Sequence, residues 1–101
     1  MRVRWTTQAE QDRLDIMTYI AGDNVRAAIA MDELFGEAAS RLEDFPMIGK
    51  PGLVAGTREL VPHESYRLIY EVDEVASTVW VLALVHSAQQ WPPIGDARTP
   101  E

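Results

Sequence analysis

Three side chains in the second half of the chain could act on a phosphate. They are Arg58 in Gly56-Thr57-Arg58-Glu59-Leu60, Arg67 in Tyr66-Arg67-Leu68-Ile69-Tyr70, and His86 at the end of an apolar run. Metal-free cleavage beside a 2′-hydroxyl needs a base for the hydroxyl proton, cations for the pentavalent phosphate, and an acid for the leaving oxygen. Two arginines and an imidazole, with Tyr66 and Tyr70 near them in sequence, are residue types suited to that work. Each also has an ordinary structural role. Arg58 could pair with Glu71 or Glu59 across a sheet, an arrangement common on surfaces and worth little. Arg67, flanked by apolar residues, could do the same. His86 ends a strand-like run, where a hydrogen-bonded structural histidine is a common occupant.

Other chemistries lack their residues. The two histidines, His63 and His86, are far apart in sequence and give a metal no ligand set. No Gly-rich phosphate loop, nucleophile elbow or paired-carboxylate motif is present. No cofactor or metal is therefore expected. With no cysteine in the chain, disulfides and thiolate zinc sites are excluded. A reducing cytoplasm is the compartment this fits. Met1-Arg2-Val3-Arg4-Trp5 turns polar too soon for a signal peptide, and no apolar run reaches the roughly 18 residues of a membrane span.

Charge narrows the partners. The net charge is −7, and the acids run through both halves: nine acids and five bases in residues 1–45, seven and four in 46–101. Autonomous nucleic-acid binding normally leaves a basic footprint. None is present here, so strong unaided binding of RNA or DNA is not expected.

The elements that must position these side chains follow from periodicity. The chain has 101 residues, enough for one domain, expected over residues 1–92 with 93–101 as a flexible tail. Arg2-Val3-Arg4-Trp5 alternates like a short strand. Thr6 or Thr7 can cap a helix running to Ala21, with Thr7 and Glu10 spaced as in a capping box, and Gly22 can stop it. Asp23 or Asn24 caps a second helix, whose Ala28, Met31, Phe35, Ala38, Leu42 and Phe45 step by three and four. A break this short predicts an antiparallel helical hairpin.

Pro46 and Gly49-Lys50-Pro51-Gly52 predict a turn-rich loop. Strands are expected at Thr57–Val61, Tyr66–Val72 and Thr78–His86. In the second, Tyr66, Leu68, Tyr70 and Val72 share one face, with Arg67, Ile69 and Glu71 on the other. In the third, Val79, Val81, Ala83 and Val85 should oppose Trp80, Leu82, Leu84 and His86. Nearly all of these are apolar, as for a central strand. Trp80 and Trp91 are expected in the core. The fold class is α+β: a short N-terminal strand, an antiparallel helical hairpin, then a three-stranded antiparallel meander.

In that order the chain resembles the RelE/ParE toxin superfamily of bacterial type II toxin–antitoxin modules, on its ParE-like branch. The likeness covers about residues 2–92. It rests on Trp5, Asp15-Ile16-Met17-Thr18-Tyr19-Ile20, Phe45-Pro46-Met47-Ile48-Gly49-Lys50-Pro51-Gly52, Gly56–Leu60, Tyr66–Tyr70, and His86-Ser87-Ala88-Gln89-Gln90-Trp91-Pro92. The resemblance implies a toxin neutralised by a cognate antitoxin in a hetero-oligomer. Two activities share the fold: RelE-like members cleave messenger RNA in the ribosome, and ParE-like members poison DNA gyrase. Gln89 stands where many relatives carry arginine, and glutamine can neither neutralise a phosphate nor serve as a general acid. The expectation is therefore a non-enzymatic, ParE-like gyrase inhibitor with Arg58, Arg67, His86 and Gln89 facing its target. The alternatives are a metal-independent, ribosome-dependent endoribonuclease using Arg58, Arg67 and His86, and a degenerate member that only binds its antitoxin. Leu14, Met17 and Leu34, partly off the helical seams, are the residues expected to receive the antitoxin.

Overall fold

The computed structural model describes residues 1–93, so of the expected tail only Pro93 lies among the described residues. Five strands and two helices follow the order β1 (Arg2–Trp5), α1 (Thr7–Ala21), α2 (Val25–Asp44), β2 (Lys50–Pro51), β3 (Thr57–His63), β4 (Tyr66–Asp73), β5 (Thr78–His86). The strands form one sheet in the order β1-β5-β4-β3-β2. β1 runs parallel to β5, and the other pairs are antiparallel.

The helices start on side-chain caps. Thr6 is extended, and its Oγ1 accepts from the Ala9 N–H at 3.1 Å. A capping box on Thr7 and Glu10 is not formed. The Thr6 N–H still donates to the Val81 carbonyl, so Thr6 belongs to the strand end and Thr7 is already helical. Asn24 caps α2 through Ala27 in the same way. The α2 stripe Ala28, Phe35, Ala38 and Leu42 is buried on the sheet, with Met31 packed against it. The expected last member, Phe45, is 60% exposed. It is the C-cap, with φ −130° and ψ 67°, and the helical phase is lost there.

The helices cover one face of the sheet. Ala9, Phe35, Ala39 and Leu42 pack there on Tyr66, Leu68, Tyr70, Val79, Val81 and Leu84. Burying side chains of this size contributes about 1.5–3 kcal/mol each, which makes this layer the main source of stability. Across the helix pair, Arg13 binds Asp32 and lies over the Trp5 ring at 4.8 Å.

Two features depart from the alternation expected along the chain. Lys50-Pro51 is a short edge strand rather than loop, paired with Glu59 and Arg58. Its Pro and neighbouring Gly read as turn signals, yet a proline without an N–H is tolerated on an outer strand. The second is a bulge in β5. Ile69 opposes Ala83 while Tyr70 opposes Val81, so Leu82 is an extra residue. The expected face Val79, Val81, Ala83, Val85 is therefore split. Val79 and Val81 join Leu84 under the helices, and Ala83 and Val85 join Ile69 on the opposite face, where Trp91 packs on them. Trp80 is half-buried, with the Arg4 guanidinium over its ring at 5.6 Å.

β1 ends at Trp5, so β5 beyond Val81 has no strand on that side. Side chains of the first helical turns replace it. The Thr6 hydroxyl donates to the Leu82 carbonyl at 3.2 Å, and the Asp12 carboxylate accepts from the Leu84 N–H at 3.1 Å.

Candidate functional site

The sheet separates the two arginines. Arg58 opposes Tyr70 in register and shares its helix-side face, while Glu59 opposes Ile69 and shares the other. Arg67, between Tyr66 and Leu68, alternates onto the face of Ile69. Arg58 and Arg67 therefore cannot close on one phosphate.

Each arginine has a structural occupation. Arg58 forms no ion pair with Glu71 or Glu59. Its Nη1 donates to the Gly49 carbonyl at 2.7 Å and more weakly to that of Met47 at 3.4 Å. Beside it the buried Tyr70 hydroxyl donates to the Pro46 carbonyl at 2.8 Å and accepts from the Gly49 N–H at 2.9 Å. Together they fix the chain between α2 and β2. A Cβ at Gly49 would fall 2.7 Å from both the Glu59 carbonyl oxygen and the Tyr70 hydroxyl, so the close approach requires glycine. Burial pushes the Tyr70 phenol above its ordinary pKa, while the Gly49 N–H and the Arg58 charge pull it partly back.

Arg67 Nη1 pairs with the buried Glu59 carboxylate at 3.0 Å, and Nη2 donates to the Gln89 carbonyl at 2.5 Å. Its Nε–H is buried without a partner among the described residues. Gln89 in turn ties down the end of β5. Its N–H donates to the His86 carbonyl at 2.8 Å, and its Oε1 accepts from the His86 N–H at 2.9 Å. Arg67, His86 and Gln89 are thus brought together, mostly through backbone groups, and Arg58 is not. Sequence reasoning missed Tyr70 as the hub of the loop and the Glu59–Arg67 pair. The hairpin register could have found the pair, since it sets Glu59 diagonally across from Arg67.

The His86 side chain is exposed and meets Tyr66 edge-on at 5.7 Å, and its Nδ1 accepts from the Ala88 N–H. It opens onto a groove of about 790 Å³ between α1 and the β4–β5 end. Asp12 and Asp15 line this groove with Tyr19, Tyr66, His86 and an apolar floor that includes Ile16 and Leu84, and no arginine or lysine among the described residues contributes. A groove with two carboxylates and no cation repels a phosphate and favours a cationic or apolar protein segment.

On the helices, Leu14 is 57% and Leu34 is 37% exposed, with Met17 half-buried. Leu14 and Met17 belong to α1 and Leu34 to α2. Leu34 lines a hollow of about 890 Å³ with Arg13, Asp32, Gly36 and Glu37. Val25 and Ile29 of α2 are exposed as well. No helix among the described residues is long and apolar enough to cross a membrane, and no His, Cys, Asp and Glu cluster there could hold a metal ion.

Comparison with known proteins agrees with this architecture. The family model for the ParE toxin of the type II toxin–antitoxin system parDE matches residues 3–91. The chain is 34% identical over 94 residues to the protein Y4kP of Sinorhizobium fredii, covering 92% of this chain and 95% of that one. Among solved structures, the chromosomal ParDE system from P. aeruginosa superposes with a TM-score of 0.73 at 20% identity, covering 85% of this chain and 95% of that one. The RelBE2 toxin–antitoxin complex from Mycobacterium tuberculosis gives a TM-score of 0.61 at 29% identity, covering 84% and 95%. The YoeB/ParE toxin from Agrobacterium tumefaciens gives 0.60 at 17%, covering 85% and 98%. A helical hairpin clamped on a mixed five-stranded sheet, matched along nearly its whole length by one family model, places this chain in the ParE toxin family of type II toxin–antitoxin systems, within the RelE/ParE superfamily.

Proposed function

We propose that the protein is a gyrase-directed toxin that acts by protein contact rather than by cutting RNA, and that a cognate antitoxin neutralises it. The observation that carries this reading is the composition of the His86 groove. Among the described residues it is lined by the carboxylates of Asp12 and Asp15 and by no arginine or lysine. Arg67 is on the opposite face, engaged by Glu59 and the Gln89 carbonyl, and Arg58 is engaged by loop carbonyls. A nuclease without bound metal must gather cations where the phosphate sits, and these side chains do not gather. The net charge of −7 points the same way.

An antitoxin partner is supported by the toxin–antitoxin systems among the structural relatives. The exposed Leu14, Val25, Ile29 and Leu34, with the half-buried Met17, suit an amphipathic segment laid along the helical hairpin.

The test is expression without the antitoxin, followed by inspection of DNA and transcripts. Double-strand breaks and loss of negative supercoiling are expected, together with inhibition of purified gyrase. Messages cut at ribosomal A sites, with intact DNA, would replace this reading by the ribosome-dependent nuclease. Unimpaired growth would leave an antitoxin-binding protein without a target.

A further inference from the structure

The loop between α2 and the turn before β3 carries an apolar surface that the helical hairpin does not use. Phe45 is 60%, Met47 48%, Ile48 46%, Leu53 77% and Val54 38% exposed, all within ten consecutive residues. Exposed apolar residues scattered singly are ordinary, but such a density marks a contact surface. The segment is also held in place. Tyr70 binds its backbone at Pro46 and Gly49, Arg58 binds it at Gly49, and the tight turn beyond closes through the Thr57 N–H and Oγ1 on the Val54 carbonyl. A surface ordered before contact loses less entropy on binding, which is what fixed apolar side chains contribute to recognition.

Charge identifies the occupant. Among the described residues from 46 onward the cations are Lys50, Arg58 and Arg67, and Arg67 is neutralised by Glu59. Lys50 and Arg58 both lie at this loop, in a chain that is otherwise strongly acidic. Arg58 uses only Nη1 on the loop carbonyls, and its Nη2 and Nε have no protein acceptor among the described residues. It lines a hollow of about 270 Å³ with Met47, Pro51, Gly56, Thr57 and Val72, room for one or two side chains. An arginine fork with free donors beside methionine, proline and valine suits a carboxylate carried among apolar residues. The outer strand offers little backbone pairing, since it is two residues long and one is proline. Contact must come from side chains.

We infer that the Phe45–Val54 loop, with Lys50 and Arg58, is the surface that grips the target protein, and that it takes an acidic segment with apolar neighbours. The inference rests on the proposed gyrase target and adds which face meets it. It separates that face from the antitoxin surface that includes Leu14 and Met17.

The probe is purified gyrase holoenzyme on DNA, with affinity measured by surface plasmon resonance on the full-length chain. The double variant Met47→Asp/Leu53→Asp alters exposed side chains only, and circular dichroism and thermal melting establish that it folds. It is expected to bind at least 30-fold more weakly, while Val75→Asp, in the fully exposed β4–β5 turn, binds as the parent does. Lys50→Glu is expected to weaken binding several-fold and to flatten its salt dependence. Parent-like affinity of the folded double variant would overturn the inference while leaving the gyrase reading intact. Absence of gyrase binding by the parent chain would overturn both. Retained gyrase binding with lost affinity for single-stranded RNA would assign the loop to nucleic acid and likewise refute a protein occupant.

Discussion

Replacing Tyr70 by phenylalanine keeps the buried ring and removes one oxygen, which makes it a clean probe of the hub under the loop. That oxygen is hydrogen-bonded on both sides, to the Pro46 carbonyl at 2.8 Å and to the Gly49 N–H at 2.9 Å. Tyr70 is 0% exposed and Gly49 is buried, so solvent cannot simply take over. A buried donor left without its acceptor costs about 1–3 kcal/mol. The half-buried Pro46 carbonyl can turn toward water and adds only a few tenths, and Arg58 continues to hold the Gly49 carbonyl. The expected loss is about 2 kcal/mol. In a domain of this size that is a fall of about 8–16 °C in Tm. The assay is urea unfolding followed by tryptophan fluorescence, with hydrogen exchange at the Gly49 amide. The midpoint should fall at constant m-value, and the Gly49 amide should exchange faster. A loss below about 0.5 kcal/mol, or Gly49 exchange as slow as in the parent, would refute the claim that this hydroxyl anchors the loop.

The same phenol gives a pH signature. Because its folded pKa lies above the unfolded value of about 10, the folded state keeps a proton that the unfolded chain has lost. Its contribution is therefore intact below about pH 10 and declines as pH rises through the folded value. Tyr70→Phe should remove that alkaline component, as read from unfolding midpoints on either side of pH 10. Glu59→Gln leaves a mostly buried guanidinium without its counter-charge and should cost about 3 kcal/mol in chemical denaturation. Glu59→Leu combined with Arg67→Met should recover most of that loss, and failure to recover would show that the Gln89 contact matters more than the pair. Thr6→Ala removes both the α1 cap and the bond to Leu82 and should cost about 1–2 kcal/mol, measured as a lower Tm. Gly49→Ala, with its Cβ forced against backbone at 2.7 Å, should destabilise more than Tyr70→Phe in the same melt.

The elements of this fold were legible because their signals are local. The α2 stripe reports its buried face by spacing alone, and Asn24 and Gly22 mark the break in the hairpin. The bulge at Leu82 was not legible. An unbroken apolar run carries no mark of where a partner strand ends, and the shift falls next to the end of β1, whose Trp5 pairs with Val81, 76 residues later in sequence. Lys50-Pro51 was hidden for a different reason, since Pro and Gly read as punctuation unless one knows that the strand lies at the edge. At the site, residue types could be named but their convergence could not. Whether Arg58 and Arg67 cooperate depends on sheet parity, which places them on opposite faces. The roles of Tyr70 and Glu59 needed the hairpin register and the loop path together.

The parallel pairing of β1 with β5 has a consequence for how the molecule comes into being. Residues 2–5 can complete their ladder only with residues 78–81, which are made 76 residues later. Until then the core under the stripe from Ala28 to Leu42 lacks Val79, Val81 and Leu84. Such distant closure slows folding and lengthens the interval in which a nascent chain is open to capture. Delayed closure of this kind gives any companion protein made beside it time to meet the chain before its sheet is complete.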